Sequence, residues 1–163
     1  MKQQAPKTSI LLTDDNKKTW LDDIEISDSY QPSEQDEYMS DKHLRYFQIK
    51  LLKWREQLII ESDHTLESLK NTHMQEPDDT DRASSESDTN IELRTRERYL
   101  KLISKIDQAL DRIENKTFGY CEATEEEIGL KRLEARPIAT LTVAAQEARE
   151  KKEKLMSETE TEA

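Results

Sequence analysis

The sequence predicts an all-α protein built around one long antiparallel coiled-coil hairpin, and two observations lead to that prediction. Apolar residues recur at alternating intervals of three and four in two long stretches, which is the spacing of a helix packed along one neighbour. The 163 residues include only two glycines and four prolines, fewer turn residues than the hairpins of an all-β protein require. Because 33% of the residues are apolar and 37% are charged, we expect a single domain with a small core.

Residues 1–40 are expected to form an N-terminal arm, partly irregular or helical, that docks on the globular region. Trp20, Leu21, Ile24 and Ile26 suit one or two helical turns. Pro32 and the polar residues after it interrupt that pattern and indicate a linker.

The hairpin is expected over residues 41–116, with its tip at 76–83. Its first helix begins at Ser40 or Asp41, either of which can cap a helix. The apolar positions of the first helix are Leu44, Phe47, Leu51, Trp54 and Leu58. The second helix runs from about Ala83 to Lys116, and its apolar positions are Tyr99, Ile103, Ile106, Leu110 and Ile113. Antiparallel pairing brings these apolar halves together and leaves the polar halves as an arm, which reaches about 50 Å if each helix has about 33 residues.

Residues 117–140 have the spacing of a zinc knuckle without most of its ligands. Cys121 opens a Cys-x-x-Cys frame, but its partner position holds Thr124, and the downstream pair falls on Thr142 and Ala145. Structural Zn²⁺ takes four sulfur or nitrogen ligands. We therefore expect a degenerate, metal-free knuckle and a protein that uses no zinc. A C-terminal helix over 141–156 and a disordered acidic tail over 157–163 complete the predicted chain.

The segment GYCEATEEEIGLKRLEARP at Gly119–Pro137 resembles the C-terminal region of the DksA/TraR family, transcription factors that bind RNA polymerase. The matching residues are Phe118, Gly119, Tyr120, Cys121, Glu122, Ile128, Gly129, Arg132, Leu133, Glu134, Ala135, Arg136 and Pro137. The resemblance extends over about 37–156 and includes the run Trp54-Arg55-x-Gln57-Leu58. It implies a regulator of the stringent response whose hairpin enters the secondary channel of bacterial RNA polymerase. Such a regulator alters open-complex stability together with guanosine tetraphosphate (ppGpp).

The resemblance also implies roles for individual residues in the hairpin tip. By spacing alone, Pro77 ends the first helix and Asp78 or Asp81 caps the second. The pattern Asp78-x-x-Asp81-Arg82-Ala83 is similar to the tip of DksA-type factors, in which Asp78, Asp81 and Ala83 would act near the polymerase active site.

A row of basic residues on the second helix can also be interpreted in two ways, as a solvated face or as a binding surface. The row consists of Arg94, Arg98, Lys101, Lys105 and Arg112. Such a row is typical of a solvated helix face, whereas the resemblance implies polymerase contacts at Arg94, Arg98 and Lys101. It further implies a ppGpp site formed by Lys105, Arg136 and Gln146. Gln146 replaces a lysine of the family, so phosphate affinity should be lower there.

The alternative function is that of a Gre-like transcript-cleavage factor, in which tip carboxylates position a Mg²⁺ that activates water. No Ser/His/Asp set, Gly-rich phosphate loop or HExxH motif is present, and we therefore expect no enzyme activity of the chain itself. The net charge of −11 disfavours binding to DNA phosphates. No apolar run approaches 18 residues. We expect a cytoplasmic monomer that neither enters a membrane nor binds DNA sequence-specifically.

The lone cysteine and the histidines carry weaker signals. Cys121 is expected to be a small packed residue whose pKa is raised by Glu122 and the acidic run 125–127, with a redox role left open. His43, His64 and His73 lack metal-ligand spacing and are expected on the surface or on the arm.

Overall fold

Four helices make up the regular structure of the residues that are described. The computed structural model describes residues 19–72 and 79–161, with side chains described for 19–68, 70 and 86–157. The helices are α1 (Asp41–Thr72), α2 (Asp79–Glu114), α3 (Leu130–Ala135) and α4 (Val143–Thr161). Within the described ranges the only β pairing is an isolated antiparallel bridge between Tyr120 and Glu127. The prediction of an all-α fold with a long hairpin is confirmed.

The helices α1 and α2 pair in antiparallel fashion and form the hairpin. The Arg55 guanidinium donates to the Asp107 carboxylate at 2.8 Å. Thirteen residues further along α1, the Ser68 hydroxyl donates to the Glu92 carboxylate at 3.0 Å. The residue number of the partner on α2 falls as that on α1 rises, which shows that the two helices are antiparallel. The buried positions lie at the base of the hairpin: Leu44, Phe47, Leu51, Leu58, Ile106, Ala109 and Ile113. Beyond Ser62, no described side chain of α1 is buried, nor is any on α2 from 86 to 105. The distal half of the hairpin therefore contributes little to the core.

Two helix boundaries differ from the sequence-based prediction. The second helix begins at Asp79 rather than about Ala83, since acidic residues near a helix N-terminus interact favourably with the helix dipole. The last helix begins at Val143, because the Thr142 hydroxyl accepts a hydrogen bond from the Ala145 N–H at 3.3 Å and caps it. It continues to Thr161, beyond the predicted end at 156 and into the stretch 157–163 that was predicted as an acidic tail. Neither glycine nor proline interrupts this stretch, and glutamate favours helix.

Residues 19–40, here called the strap, form turns and cross the base of the hairpin. Leu21 is buried in the core, and the neighbouring Asp22 carboxylate pairs with Arg45 of α1 at 2.6 Å. The Trp20 ring lies under the Lys116 ammonium, 4.3 Å from it, just beyond the end of α2. The strap thus joins the start of the hairpin to its end.

The segment between α2 and α4, residues 115–142, folds over the open end of the hairpin base. The residues that it adds to the hydrophobic core are Phe118, Cys121, Ile128, Leu130, Leu133, Ile138, Ala139 and Leu141. Gly119 has a φ of 92°, and a Cβ there would lie 2.6 Å from Met39 of the strap, so only glycine fits this position. Close packing of strap and segment therefore depends on this residue.

His43 is fully buried, with 0% of its surface exposed, and the expectation that it lies on the surface or on the arm is wrong. The sequence pattern could not show this, because the strap that covers His43 lacks helical periodicity. None of the helices in residues 19–72 and 79–161 combines the length and the apolar composition that a membrane span requires.

Candidate functional site

The predicted hairpin tip, residues 76–83, lies partly outside the described residues. Asp78 lies outside the described residues, and Asp81 and Ala83 lie in the first turns of α2 without described side chains. The structure therefore does not test their predicted roles, which stay predictions.

The basic row on α2 is exposed over most of its length. Arg94, Arg98, Lys101 and Lys105 are all exposed. Among the described residues, none of these four side chains forms an ion pair within 4 Å, whereas Arg45, Lys50 and Arg55 of α1 each pair with a carboxylate. Four cations on a chain of net charge −11 thus remain available to an acidic partner.

Arg112, the fifth member of the row, belongs to the core side of the hairpin base. Its side chain is only 15% exposed, and its Nη1 lies 3.7 Å from the Glu122 carboxylate. Burial lowers the pKa of the guanidinium, while Glu122 acts in the opposite direction. Placing Arg112 on the solvated face is therefore a correction to the sequence analysis, since the segment after α2 folds back over it.

The three residues assigned to a nucleotide site lie on different elements. Lys105 is exposed on α2, Arg136 is exposed directly after α3, and Gln146 lies in the first turn of α4. No hydrogen bond joins any two of these side chains in the described structure. Instead, the Gln146 amide donates to the Glu150 carboxylate at 2.6 Å. Sequence reasoning missed Glu150, although the i,i+4 spacing on a helix could have indicated it.

A polar network holds α3, and with it Arg136, against the hairpin. The Tyr46 hydroxyl donates to the Glu134 carboxylate at 2.8 Å. Lys50 pairs with the same carboxylate and donates to the Glu134 carbonyl at 2.8 Å. Burial, together with Glu134, raises the pKa of Tyr46 to about 12. The hydroxyl therefore stays protonated and keeps donating.

Cys121 lies in a pocket of hydrogen-bond donors at the first position of the knuckle frame. The thiol is buried, and the Thr142 hydroxyl approaches its sulfur at 4.0 Å. Burial by itself raises the pKa of the thiol, but the Thr124 hydroxyl and the backbone N–H groups of Thr142, Ala123 and Thr124 lower it to about 6. The expectation of a raised pKa is wrong, because the neighbouring glutamates point to solvent while backbone amides face the sulfur.

Comparison with known proteins finds two family profiles that match consecutive parts of the chain. The N-terminal domain of DnaK suppressor protein DksA matches residues 43–113, and the prokaryotic dksA/traR C4-type zinc finger matches residues 116–151. An RNA polymerase-binding transcription factor DksA of Caulobacter vibrioides is 53% identical over 132 residues, which cover 81% of this chain and 92% of the relative. The protein of the same description from Escherichia coli K12 is 43% identical over 133 residues, covering 78% and 85%.

A solved structure supports the same fold. Transcription factor DksA2 from Pseudomonas aeruginosa superposes with a TM-score of 0.68 at 37% identity, covering 76% of this chain and 94% of that one.

The second profile contradicts the prediction that this protein uses no zinc. Residues 116–151 match a family described as a C4-type zinc finger, which points to zinc binding, so that prediction is wrong. The residues at the frame positions nevertheless do not fit a four-cysteine site, because Thr124 and Thr142 offer hydroxyls and Ala145 offers no donor atom. Over the part of the chain that the structure describes, no three His, Cys, Asp or Glu side chains form a group that could hold a metal. No step of function is therefore routed through zinc.

Proposed function

Because the chain belongs to the DksA/TraR family, we propose that it is a transcription regulator that binds bacterial RNA polymerase through the secondary channel. The proposed action is non-enzymatic and cytoplasmic: one copy of the chain places its hairpin tip near the polymerase active site and alters the stability of open promoter complexes. The shape of the hairpin supports this proposal. Helix α1 has 32 residues and spans about 48 Å, yet its distal half buries little of its own surface. A helical arm that contributes little to its own core is suited to insertion into a channel of a partner protein.

The observation that carries the proposal is the row of exposed cations on α2. Arg94, Arg98 and Lys101 are spaced four and three residues apart, so they share one face of the helix. They form no ion pair with the described acidic residues of the same chain. An acidic protein that keeps one cationic face unpaired is suited to a partner surface that carries carboxylates.

Replacing Arg94, Arg98 and Lys101 together with alanine is expected to weaken polymerase binding by about threefold to a hundredfold. Each exposed ion pair contributes about 0.2–1 kcal/mol, so three losses sum to about 0.6–3 kcal/mol if each cation has its own partner. Binding of purified RNA polymerase, measured by biolayer interferometry at several salt concentrations, tests this result. The loss should shrink as salt rises, since salt screens exposed charges.

A matched control removes three exposed lysines elsewhere, at Lys42, Lys53 and Lys131. It produces the same change in net charge but should leave the affinity within about twofold. Equal losses in the two triple variants would mean that net charge, rather than this face, determines binding.

We further propose that Lys105 and Arg136 help to bind ppGpp at the polymerase interface, and that Gln146 contributes weakly. Both basic side chains are exposed, and a tetraphosphate requires charged donors. The Gln146 amide is engaged by Glu150 at 2.6 Å, which adds a negative charge beside the position where the family carries a lysine. We therefore expect a smaller ppGpp response than that of relatives with the lysine.

The double variant Gln146→Lys/Glu150→Gln is expected to strengthen the ppGpp response of transcription several-fold, because it supplies a cation and removes the carboxylate that would pair with it. Lys105→Ala should reduce the same response while sparing the effect seen without nucleotide. The measurement is run-off transcription from a sensitive promoter over a ppGpp titration. If Lys105→Ala lowered activity equally with and without ppGpp, Lys105 would support docking instead.

A further inference from the structure

The hairpin carries aliphatic side chains that are exposed and lie outside the hydrophobic core. Leu52 of α1 is 43% exposed, and Leu93 and Leu100 of α2 are 46% and 41% exposed. Ile59 and Leu66 of α1 are half-buried and lie outside the core as well. Single exposed leucines are common on protein surfaces, but several of them on one side of an element indicate a binding surface.

These five residues lie on one side of the hairpin, which is marked by the ion pair between Arg55 and Asp107. The two side chains meet at 2.8 Å, so they leave α1 and α2 on the same side. Residues three, four or seven positions apart on a helix share a face. The side is here called the aliphatic face, and its members stand three before, four after and eleven after Arg55 on α1, and seven and fourteen before Asp107 on α2: Leu52, Ile59, Leu66, Leu100 and Leu93.

The aliphatic face extends over both helices. The two interhelical hydrogen bonds described above fix which residues of α1 and α2 lie at the same height along the hairpin. Leu100 accordingly lies near the height of Ile59, and Leu93 lies near the height of Leu66. From Leu52 to Leu66 the face is about 21 Å long, since each helical residue rises about 1.5 Å. The five side chains therefore form one stripe along the hairpin rather than isolated positions.

The exposed cations of α2 lie on a different side of the hairpin at the same heights. Arg94 directly follows Leu93, and Lys101 directly follows Leu100. Successive residues of a helix point about 100° apart, so each cation is turned away from the aliphatic face. A channel that receives these cations surrounds the hairpin at each height, and its wall therefore also faces the aliphatic side chains.

We propose that the aliphatic face is a second contact surface for RNA polymerase, and that it packs against an apolar part of the channel wall. This inference rests on the proposed function, because the same channel is the partner in both. Burial of aliphatic side chains is favourable against an apolar surface, whereas polar groups that lose their hydration without gaining partners oppose binding. The cations thus hold the hairpin against carboxylates on one side, and the aliphatic face excludes water on another.

The double variant Leu93→Gln/Leu100→Gln is expected to weaken binding of purified RNA polymerase by about tenfold to fiftyfold, because it removes the apolar surface that these two leucines still expose. Biolayer interferometry at several salt concentrations measures the affinity. The loss should keep its size as salt rises, since salt screens charges but does not weaken apolar contacts. The triple alanine variant of the cations should show the opposite behaviour, with a loss that shrinks.

Three further variants complete the design. Ile60→Gln/Leu155→Gln removes two aliphatic side chains that are 51% and 55% exposed and do not belong to the aliphatic face; it should leave the affinity within about twofold. Leu93→Met/Leu100→Met keeps the apolar character and should bind like the wild type. Circular dichroism at 222 nm checks the helical fold of each variant. If the double glutamine variant lost that signal, Leu100→Gln alone, expected to bind about threefold to eightfold more weakly, would test the same contact.

The outcomes separate the aliphatic contact from the proposed function. Wild-type affinity of the leucine variant, with the triple alanine variant still weakened, would overturn the contact and leave the proposed function standing. Equal losses in the leucine variant and in Ile60→Gln/Leu155→Gln would also overturn it, whereas a wild type that does not bind polymerase would overturn both. Sedimentation equilibrium tests a second copy of the chain as the occupant: a wild-type dimer that the leucine variant loses, at unchanged polymerase affinity, would contradict the proposal.

Discussion

Phe118→Ala is expected to lower the free energy of unfolding by about 3–5 kcal/mol, the usual cost of deleting a fully buried phenylalanine. The side chain is 0% exposed, and its ring lies 5.4 Å from that of Phe47 on α1. It therefore joins the segment after α2 to the hairpin base. Since a domain of this kind is stable by about 5–15 kcal/mol, the variant should lose a large share of its stability. Urea denaturation followed by circular dichroism at 222 nm measures this loss.

Leu100→Ala is the matched control, because Leu100 is 41% exposed and lies in the stretch of α2, residues 86–105, that has no buried side chain. It should cost less than about 1 kcal/mol. If Phe118→Ala cost no more than Leu100→Ala, the hairpin base would be stable without the segment that follows it.

The double variant Asp78→Asn/Asp81→Asn is expected to bind polymerase within a few-fold of the wild type and yet to lose its effect on open-complex lifetime. Asparagine keeps the size and the capping ability of aspartate but removes the charge. Even complete loss of a cap costs only about 0.5–2 kcal/mol. The buried positions at Ile106 and Ile113 lie far along α2 from these residues. Filter retention of open complexes after competitor challenge, at a ribosomal-type promoter, measures the lifetime.

Asp63→Asn/Asp88→Asn is the control, since it removes two exposed charges from the arm without changing the tip. It should act like the wild type. Wild-type inhibition by the tip variant would mean that the acidic tip is only a capped turn, and loss of binding would make the tip an affinity element. A transcript-cleavage assay on stalled complexes separates both outcomes from the Gre-like alternative, in which the tip carboxylates would position Mg²⁺.

The sequence by itself determined the hairpin, because helical periodicity is a local property. Leu44, Phe47, Leu51 and Leu58 recur at the period of a helix face, and the structure buries all four. Family membership also followed from sequence, since the run Gly119–Pro137 preserves a motif that needs no coordinates to be read. Zinc use was not predicted correctly from the sequence. Only one of the four frame positions carries a zinc ligand, which predicted a metal-free protein, whereas the matched family is described as a C4-type zinc finger.

Only the tertiary structure decided the environments of the individual polar groups. The amide of Thr142 meets the sulfur of Cys121 across 21 residues, and Tyr38 meets Gly119 across 81. His43 is buried by a strap without periodicity, and Arg112 is covered by the segment that folds back after α2. Burial and hydrogen bonding depend on distances in space, which a pattern along the chain reports only when both partners lie on one regular element.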